Sequence, residues 1–123
     1  MILIDTSVWV RFFKGSDEAK FAGEKARENT ALLHQLVFGE LLLGGLSAEN
    51  ELLLQALPTI QLPSTEKIYR FIKDNSLPGK GIGWVGAAIL CSAHEAGAVL
   101  ATFDEALRSC AGKIGITYRN LTH

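Results

Sequence analysis

Cysteine is scarce: Cys91 and Cys110 are the only two in 123 residues, in no metal-like spacing. A disulfide framework is therefore excluded, and both read as reduced thiols of a cytosolic protein. An excess of one charge is missing too, since 12 basic and 13 acidic residues leave a formal net charge of −1. Nucleic-acid binders are usually basic, so bulk charge does not point to that role; a local patch or a bound cation would have to supply it. Long apolar runs are also absent. Leu41-Leu42-Leu43 and Leu52-Leu53-Leu54 fall far short of the about 20 residues of a membrane span, so no membrane partner is expected. The opening Met1-Ile2-Leu3-Ile4-Asp5 has no basic start and no extended apolar segment, so a secretory leader is not expected either. No repeat, low-complexity tract or linker divides the chain.

What remains is the composition of a packed domain, with 48% hydrophobic and 20% charged residues, expected to form one unit over residues 1–123. Met1 to Ile4 reads as a short buried strand ending at an acid. Thr6 or Ser7 is placed to cap a helix that starts near Val8 and carries Trp9, Phe12 and Phe13. Asp17 to Arg27 has helical spacing, and Ala31 to Leu33 is a second strand. Leu36 to Leu43 is apolar around Glu40 and ends at Gly44-Gly45. Ser47 caps a helix that Pro58 stops, Thr59 to Leu62 is a third strand, and Ser64 opens another helix. After the loop Pro78-Gly79-Lys80-Gly81, a helix from Gly83 to Glu95 ends at Gly97. Ala98 to Ala101 and Ile114 to Thr117 are the last two strands. This alternation predicts a three-layer α/β/α domain around a parallel sheet, with ligands bound beyond the carboxyl ends of the strands.

Asp5 and Asp104 each follow a predicted strand, so parallel strands would bring both acids to one edge of the sheet. Glu40 is the third acid, set among apolar side chains, where a carboxylate is costly unless paired or metal-bound. Three carboxylates brought together repel one another, and a hard divalent ion such as Mg²⁺ or Mn²⁺ relieves that repulsion. Structural readings compete for each: Asp5 and Asp104 as helix N-caps, Glu40 on a solvated helix face.

These segments resemble the PIN-domain nucleases, most closely the VapC toxins of bacterial toxin–antitoxin pairs. Ile2-Leu3-Ile4-Asp5-Thr6-Ser7-Val8-Trp9-Val10 is similar to the first motif of that family. Glu40 within Val37-Phe38-Gly39-Glu40-Leu41-Leu42-Leu43-Gly44 resembles the second motif, and Gly83-Trp84-Val85 the lead-in to the third. Ala101-Thr102-Phe103-Asp104-Glu105-Ala106-Leu107 resembles the fourth. The resemblance implies a central five-stranded parallel sheet and a Mg²⁺- or Mn²⁺-dependent endoribonuclease acting on tRNA or other structured RNA. It implies Asp5, Glu40 and Asp104 as metal-binding catalytic acids, with the Ser7 and Thr102 hydroxyls supporting them. It also implies a homodimer, a cognate antitoxin and a cytoplasmic location.

One position departs from the pattern. An aspartate normally follows the third lead-in, and Gly86 stands there. Glycine early in a helix costs up to about 1 kcal/mol against alanine, and no capping need explains it. A vacated acid site is the reading, reachable from aspartate by one base change. Metal affinity and cleavage are expected to fall while the fold survives, and eased repulsion is expected to favour the glycine form.

Other residues carry less. Arg11, Lys14, Lys67, Arg70, Lys73 and Lys80 are candidates for phosphate contact, with a solvated face the competing account. Lys80 lies in a loop without a phosphate-loop pattern. Trp9, Phe12 and Phe13 read as core or dimer contacts. Trp84 reads the same way, with base stacking open because it is close to the site. His34 and His94 have no metal or triad spacing, and Cys91 reads as a small buried hydrophobe. Two other functions compete: a non-catalytic PIN-like module that binds RNA or an antitoxin, which Gly86 favours, and a phosphatase with Asp5 as nucleophile. The latter class usually carries an aspartate two residues on, where Ser7 stands.

Overall fold

The computed structural model describes residues 1–119. The last four residues of the expected 1–123 domain lie outside them. β1 (Ile2–Ile4) leads into α1 (Thr6–Phe13), a short 3-10 turn (Asp17–Ala19), α2 (Lys20–Arg27) and β2 (Ala31–His34). α3 (Gln35–Leu43), α4 (Ala48–Gln55), β3 (Thr59–Ile60) and α5 (Thr65–Asp74) follow. α6 (Trp84–Glu95), β4 (Val99–Ala101) and α7 (Glu105–Ile114) complete the order. None of the described helices is long and apolar enough to cross a membrane.

All strand pairs are parallel, in the order β3-β2-β1-β4. The chain steps outward from β1 to β3, then crosses back over the sheet to place β4 on the other side of β1. With right-handed crossovers that reversal puts the two helix sets on opposite faces. The helices pack accordingly: α1 contacts α2 and α3, whereas α6 contacts α5 and α7. The reversal also makes the carboxyl ends of β1 and β4 the crevice where such sheets bind ligands.

Among the described residues the sheet has four strands, where five were expected. The chain expected as a fifth strand over Ile114 to Thr117 is helical through Ile114, and Gly115 closes α7 in the left-handed conformation at φ 84°. What is left pairs with β4 as one parallel bridge, Leu100 to Thr117, held by Leu100 N donating to Ile116 O at 2.7 Å and Tyr118 N to Leu100 O at 2.9 Å. An αL glycine immediately after α7 shortens the segment available for pairing.

Strands buried on both faces need apolar residues at every position, and β1 and β2 are buried throughout. Trp9, Leu3, Ile4, Leu33, Leu54, Ile68, Ile89, Leu90 and Leu100 fill the centre. Fully buried Trp9 seats α1 in the core, and within the helix it stacks on Phe13 at 5.8 Å and meets Phe12 edge-on at 5.6 Å. α2 crosses α1 at Gly23, where a Cβ would stand 2.6 Å from the Phe12 ring. Ser47 and Ser64 cap α4 and α5 as their positions predict, accepting from Asn50 N and Lys67 N.

Candidate active site

Asp5 is the first residue past β1. The register that pairs Ile4 with Ala101 continues as Asp5 N donating to Ala101 O at 3.0 Å, so Asp5 and Thr102 emerge side by side. Asp5 stands at the N-cap position of α1, yet its side chain makes no capping bond. The cap reading of Asp5 therefore fails, and the helix begins at Thr6 without Thr6 or Ser7 as its cap. Instead Asp5 Oδ2 accepts from Thr102 Oγ1 at 2.7 Å and from Ser7 Oγ at 3.0 Å. Each hydroxyl has one proton, and both are committed to Asp5. The 3.3 Å contact between Ser7 Oγ and Thr102 Oγ1 is left without a proton of its own. Their lone pairs are taken from behind: Phe103 N donates to Ser7 Oγ at 3.0 Å and Asp104 N to Thr102 Oγ1 at 3.1 Å. Two backbone amides thus polarise two hydroxyls toward one largely buried carboxylate, a chain in which each bond strengthens the next.

Asp104 is exposed and caps α7, its Oδ1 accepting from Leu107 N at 2.9 Å. Its structural reading holds, and the same placement leaves it two residues from Thr102. Glu40 is exposed rather than surrounded by apolar side chains, because α3 turns that face outward. Its Oε1 accepts from Thr6 Oγ1 at 2.6 Å, which ties α3 to the start of α1. Thr6 was legible in the sequence only as a cap; its contact with Glu40 spans 34 residues, and no local signal encodes it. Arg11 also approaches this edge. Its guanidinium lies 4.2 Å from the Phe103 ring centroid and 3.0 Å from Glu18.

Gly86 occupies the third position of α6, whose N-cap, Gly83, has no side chain to cap with. The first turn of α6 holds no acid. A Cβ at Gly86 would lie 3.6 Å from Ile82 Cβ and 3.7 Å from Leu107 Cδ1, ordinary packing distances. Leu107 is the residue whose amide Asp104 holds. The position is therefore open to a side chain and directed toward the first turn of α7.

Each of the three acids is held through one oxygen, while the other accepts no hydrogen bond among the described residues. An oxygen-only carboxylate set suits a hard divalent ion in kind. In number it is short: among the described residues no three acidic, histidine or cysteine side chains are grouped closely enough to hold a metal. The remaining candidates lie elsewhere. His34 is fully buried at the N-cap of α3, its Nδ1 accepting from Leu36 N at 3.0 Å and its Nε2 lying 2.9 Å from Ser92 Oγ. Cys91 is buried, and burial with Glu95 nearby pushes its thiol pKa up, away from nucleophilic use.

Comparison with known proteins bears on the family and the fold. The PIN domain family matches residues 2–113. The chain is 33% identical over 119 residues to Ribonuclease VapC32 of Mycobacterium tuberculosis, in both the CDC 1551 / Oshkosh and ATCC 25618 / H37Rv strains, covering 94% of each chain. Its fold is similar to that of a chain in a toxin-antitoxin complex from Klebsiella pneumoniae, with TM-score 0.62 and 20% identity over 83% of this chain and 85% of that one. A crystal structure from Pyrobaculum aerophilum has TM-score 0.56 and 16% identity, over 89% of this chain and 78% of the other. The two structural likenesses speak for the fold; the family match and the VapC32 relative, each spanning nearly the whole length, carry the assignment, and this chain belongs to the PIN-domain family.

Proposed function

We propose that this chain is a metal-dependent endoribonuclease toxin of a toxin–antitoxin pair, hydrolysing phosphodiester bonds of tRNA or other structured RNA, with its activity reduced by Gly86. The observation that carries this reading is the hydrogen-bonded set Asp5, Ser7, Thr102 and Asp104 at the carboxyl ends of adjacent parallel strands. Its relative VapC32 bears the name of a ribonuclease. Asp5, Glu40 and Asp104 are the acids that would hold Mg²⁺ or Mn²⁺, drawn closer together than they stand in this structure. Such an ion supplies activation of water and neutralisation of phosphate charge. Ser7 and Thr102 fix the orientation of Asp5, so its free oxygen faces the site without rotational loss. The first-turn amides of α6 favour a phosphate group nearby, because the positive end of the helix dipole lies there. At Gly86 the acid that would complete the set is missing, which lowers metal affinity and leaves attacking water less well placed.

The proposed protein partners are a cognate antitoxin and a second copy of the chain, and the proposed location is the cytoplasm. Exposed Leu42, Leu43 and Leu52 on α3 and α4 supply apolar surface for a protein contact.

The test is to purify this chain and its Gly86→Asp variant without antitoxin and incubate each with total tRNA in Mg²⁺, Mn²⁺ or EDTA. Discrete products from Gly86→Asp only with metal, and few from the parent, support the reading. A second reading, a non-catalytic module that binds RNA or an antitoxin, is favoured by Gly86 and by the shortfall of gathered donors. It moves ahead when neither form cuts RNA under any metal.

A further inference from the structure

The two tryptophans have opposite environments. Trp9 is fully buried, whereas Trp84 is 46% exposed at the first position of α6. Beside it Tyr69 of α5 is 54% exposed, the ring centroids 5.7 Å apart at an interplanar angle of 60°. An edge contact of this kind orients both rings without covering them. Between α5 and the start of α6 runs a groove of about 220 Å³ with Ile72, Leu77, Pro78 and Ile82 along it and Trp84 at its wall. Cations flank the pair: Lys73 lies one helical turn beyond Tyr69, and Lys80 lies in the loop that leads to Trp84. Neither has an ion-pair partner among the described residues, while Lys67, also on α5, pairs with Glu95 at 3.6 Å. Ile82, which lines this groove with Trp84, also lies 3.6 Å from the place of a Cβ at Gly86, so the groove borders that position.

From this we infer that Trp84, steadied by Tyr69, is a stacking platform for an unpaired base of the RNA substrate, with Lys73 and Lys80 meeting the phosphates on either side. The inference rests on the ribonuclease reading and adds to it the element that positions the strand. The exposed ring faces, rather than bulk charge, favour this occupant. A chain of formal net charge −1 gains little from general attraction to phosphate, so affinity has to come from local contacts that salt does not screen. Base–aromatic stacking is such a contact, and it tolerates any sequence.

The experiment uses the intact chain in EDTA, where RNA is bound without being cut, with a short fluorescein-labelled single-stranded RNA as probe. Anisotropy gives affinity across a salt series, and tryptophan emission reports Trp84, since Trp9 is shielded in the core. Stacking predicts quenching on binding and a loss of about 5- to 150-fold in affinity for Trp84→Ala. Trp84→Phe retains most of the affinity, and Lys73→Ala flattens the salt dependence while Trp84→Ala leaves its slope unchanged. Equal affinity for Trp84→Ala and parent overturns the proposal. So does a change in association state with Trp84→Ala, seen by sedimentation, because the face is then a contact between copies. RNA cleavage by Gly86→Asp separates the two levels. Cutting by that variant with no effect of Trp84→Ala on affinity removes the platform and leaves the ribonuclease reading standing. Neither cutting nor binding by either form removes both.

Discussion

Thr102 is the residue on which the site's geometry depends most, and Thr102→Val tests that dependence with almost no change in shape. Its side chain is fully buried; its hydroxyl donates to Asp5 Oδ2 at 2.7 Å and accepts from Asp104 N at 3.1 Å. Valine fills the same volume and removes both bonds. A hydrogen bond to a charged acceptor contributes about 1.5–3 kcal/mol, and an amide left unpaired adds to the loss. The Asp104 amide is only partly buried, so water recovers much of the second term. The expected destabilisation is about 2–3 kcal/mol, or a fall in Tm of roughly 6–15 °C for a chain of this size. Urea unfolding with an unchanged m-value measures it. A double-mutant cycle with Asp5→Asn isolates the charged part of the bond, expected at about 1 kcal/mol. A Thr102→Val protein within about 0.5 kcal/mol of the parent would refute the view that this hydroxyl holds Asp5, since that is the range of an ordinary surface change.

Gly86→Asp places an acid at the third position of an uncapped helix, which the dipole favours, against repulsion from Asp104 and Asp5. Its stability in EDTA is expected within about 1 kcal/mol of the parent, given the size of propensity and dipole effects. Added Mg²⁺ should raise its Tm more than the parent's; equal shifts in thermal melts would argue against a metal role for this position. His34 gives a pH dependence. Ser92 Oγ gives its proton to Ala88 O at 2.7 Å, so His34 Nε2 donates to Ser92 and Nδ1 accepts from Leu36 N. Burial lowers the His34 pKa below its ordinary 6.5. The unfolded chain therefore takes up the proton first, and the stabilisation is whole above pH 6.5 and lost as pH falls through the folded value. Urea midpoints should fall on acidification through that window, and His34→Asn should flatten the fall; an unchanged slope would contradict the assignment. Gly23→Ala should cost about 1–3 kcal/mol by driving a methyl into the Phe12 ring, measured by thermal melting, and no loss would mean that the ring moves freely aside.

Local chemistry made much of this protein legible in its sequence. Buried parallel strands read as unbroken apolar runs, so Ile2–Ile4 and the stretch ending at Ala101 stood out. Ser47, Ser64, Gly97 and the Gly44-Gly45 pair punctuate helices where their side chains, or lack of them, require it. The acids at the ends of β1 and β4 followed from the same pattern. The fifth strand did not, because Ile114 belongs equally to a strand run and to the apolar face of α7, and only the αL turn at Gly115 decides between them. Of the two readings of Glu40 the solvated helix face holds, and local sequence could not choose between them, since the leucines beside it, Leu42 and Leu43, are themselves exposed.

By itself the sequence determined most of the helices and strands and the acids at strand ends, because these depend on neighbours within a turn or a strand. Tertiary structure alone decided that Asp5 gives up capping to receive Ser7 and Thr102, that Thr6 reaches Glu40, and that Tyr69 stands beside Trp84 in the open. The Asp5–Thr102 bond joins residues 97 positions apart, and only the parallel pairing of β1 with β4 brings them within reach.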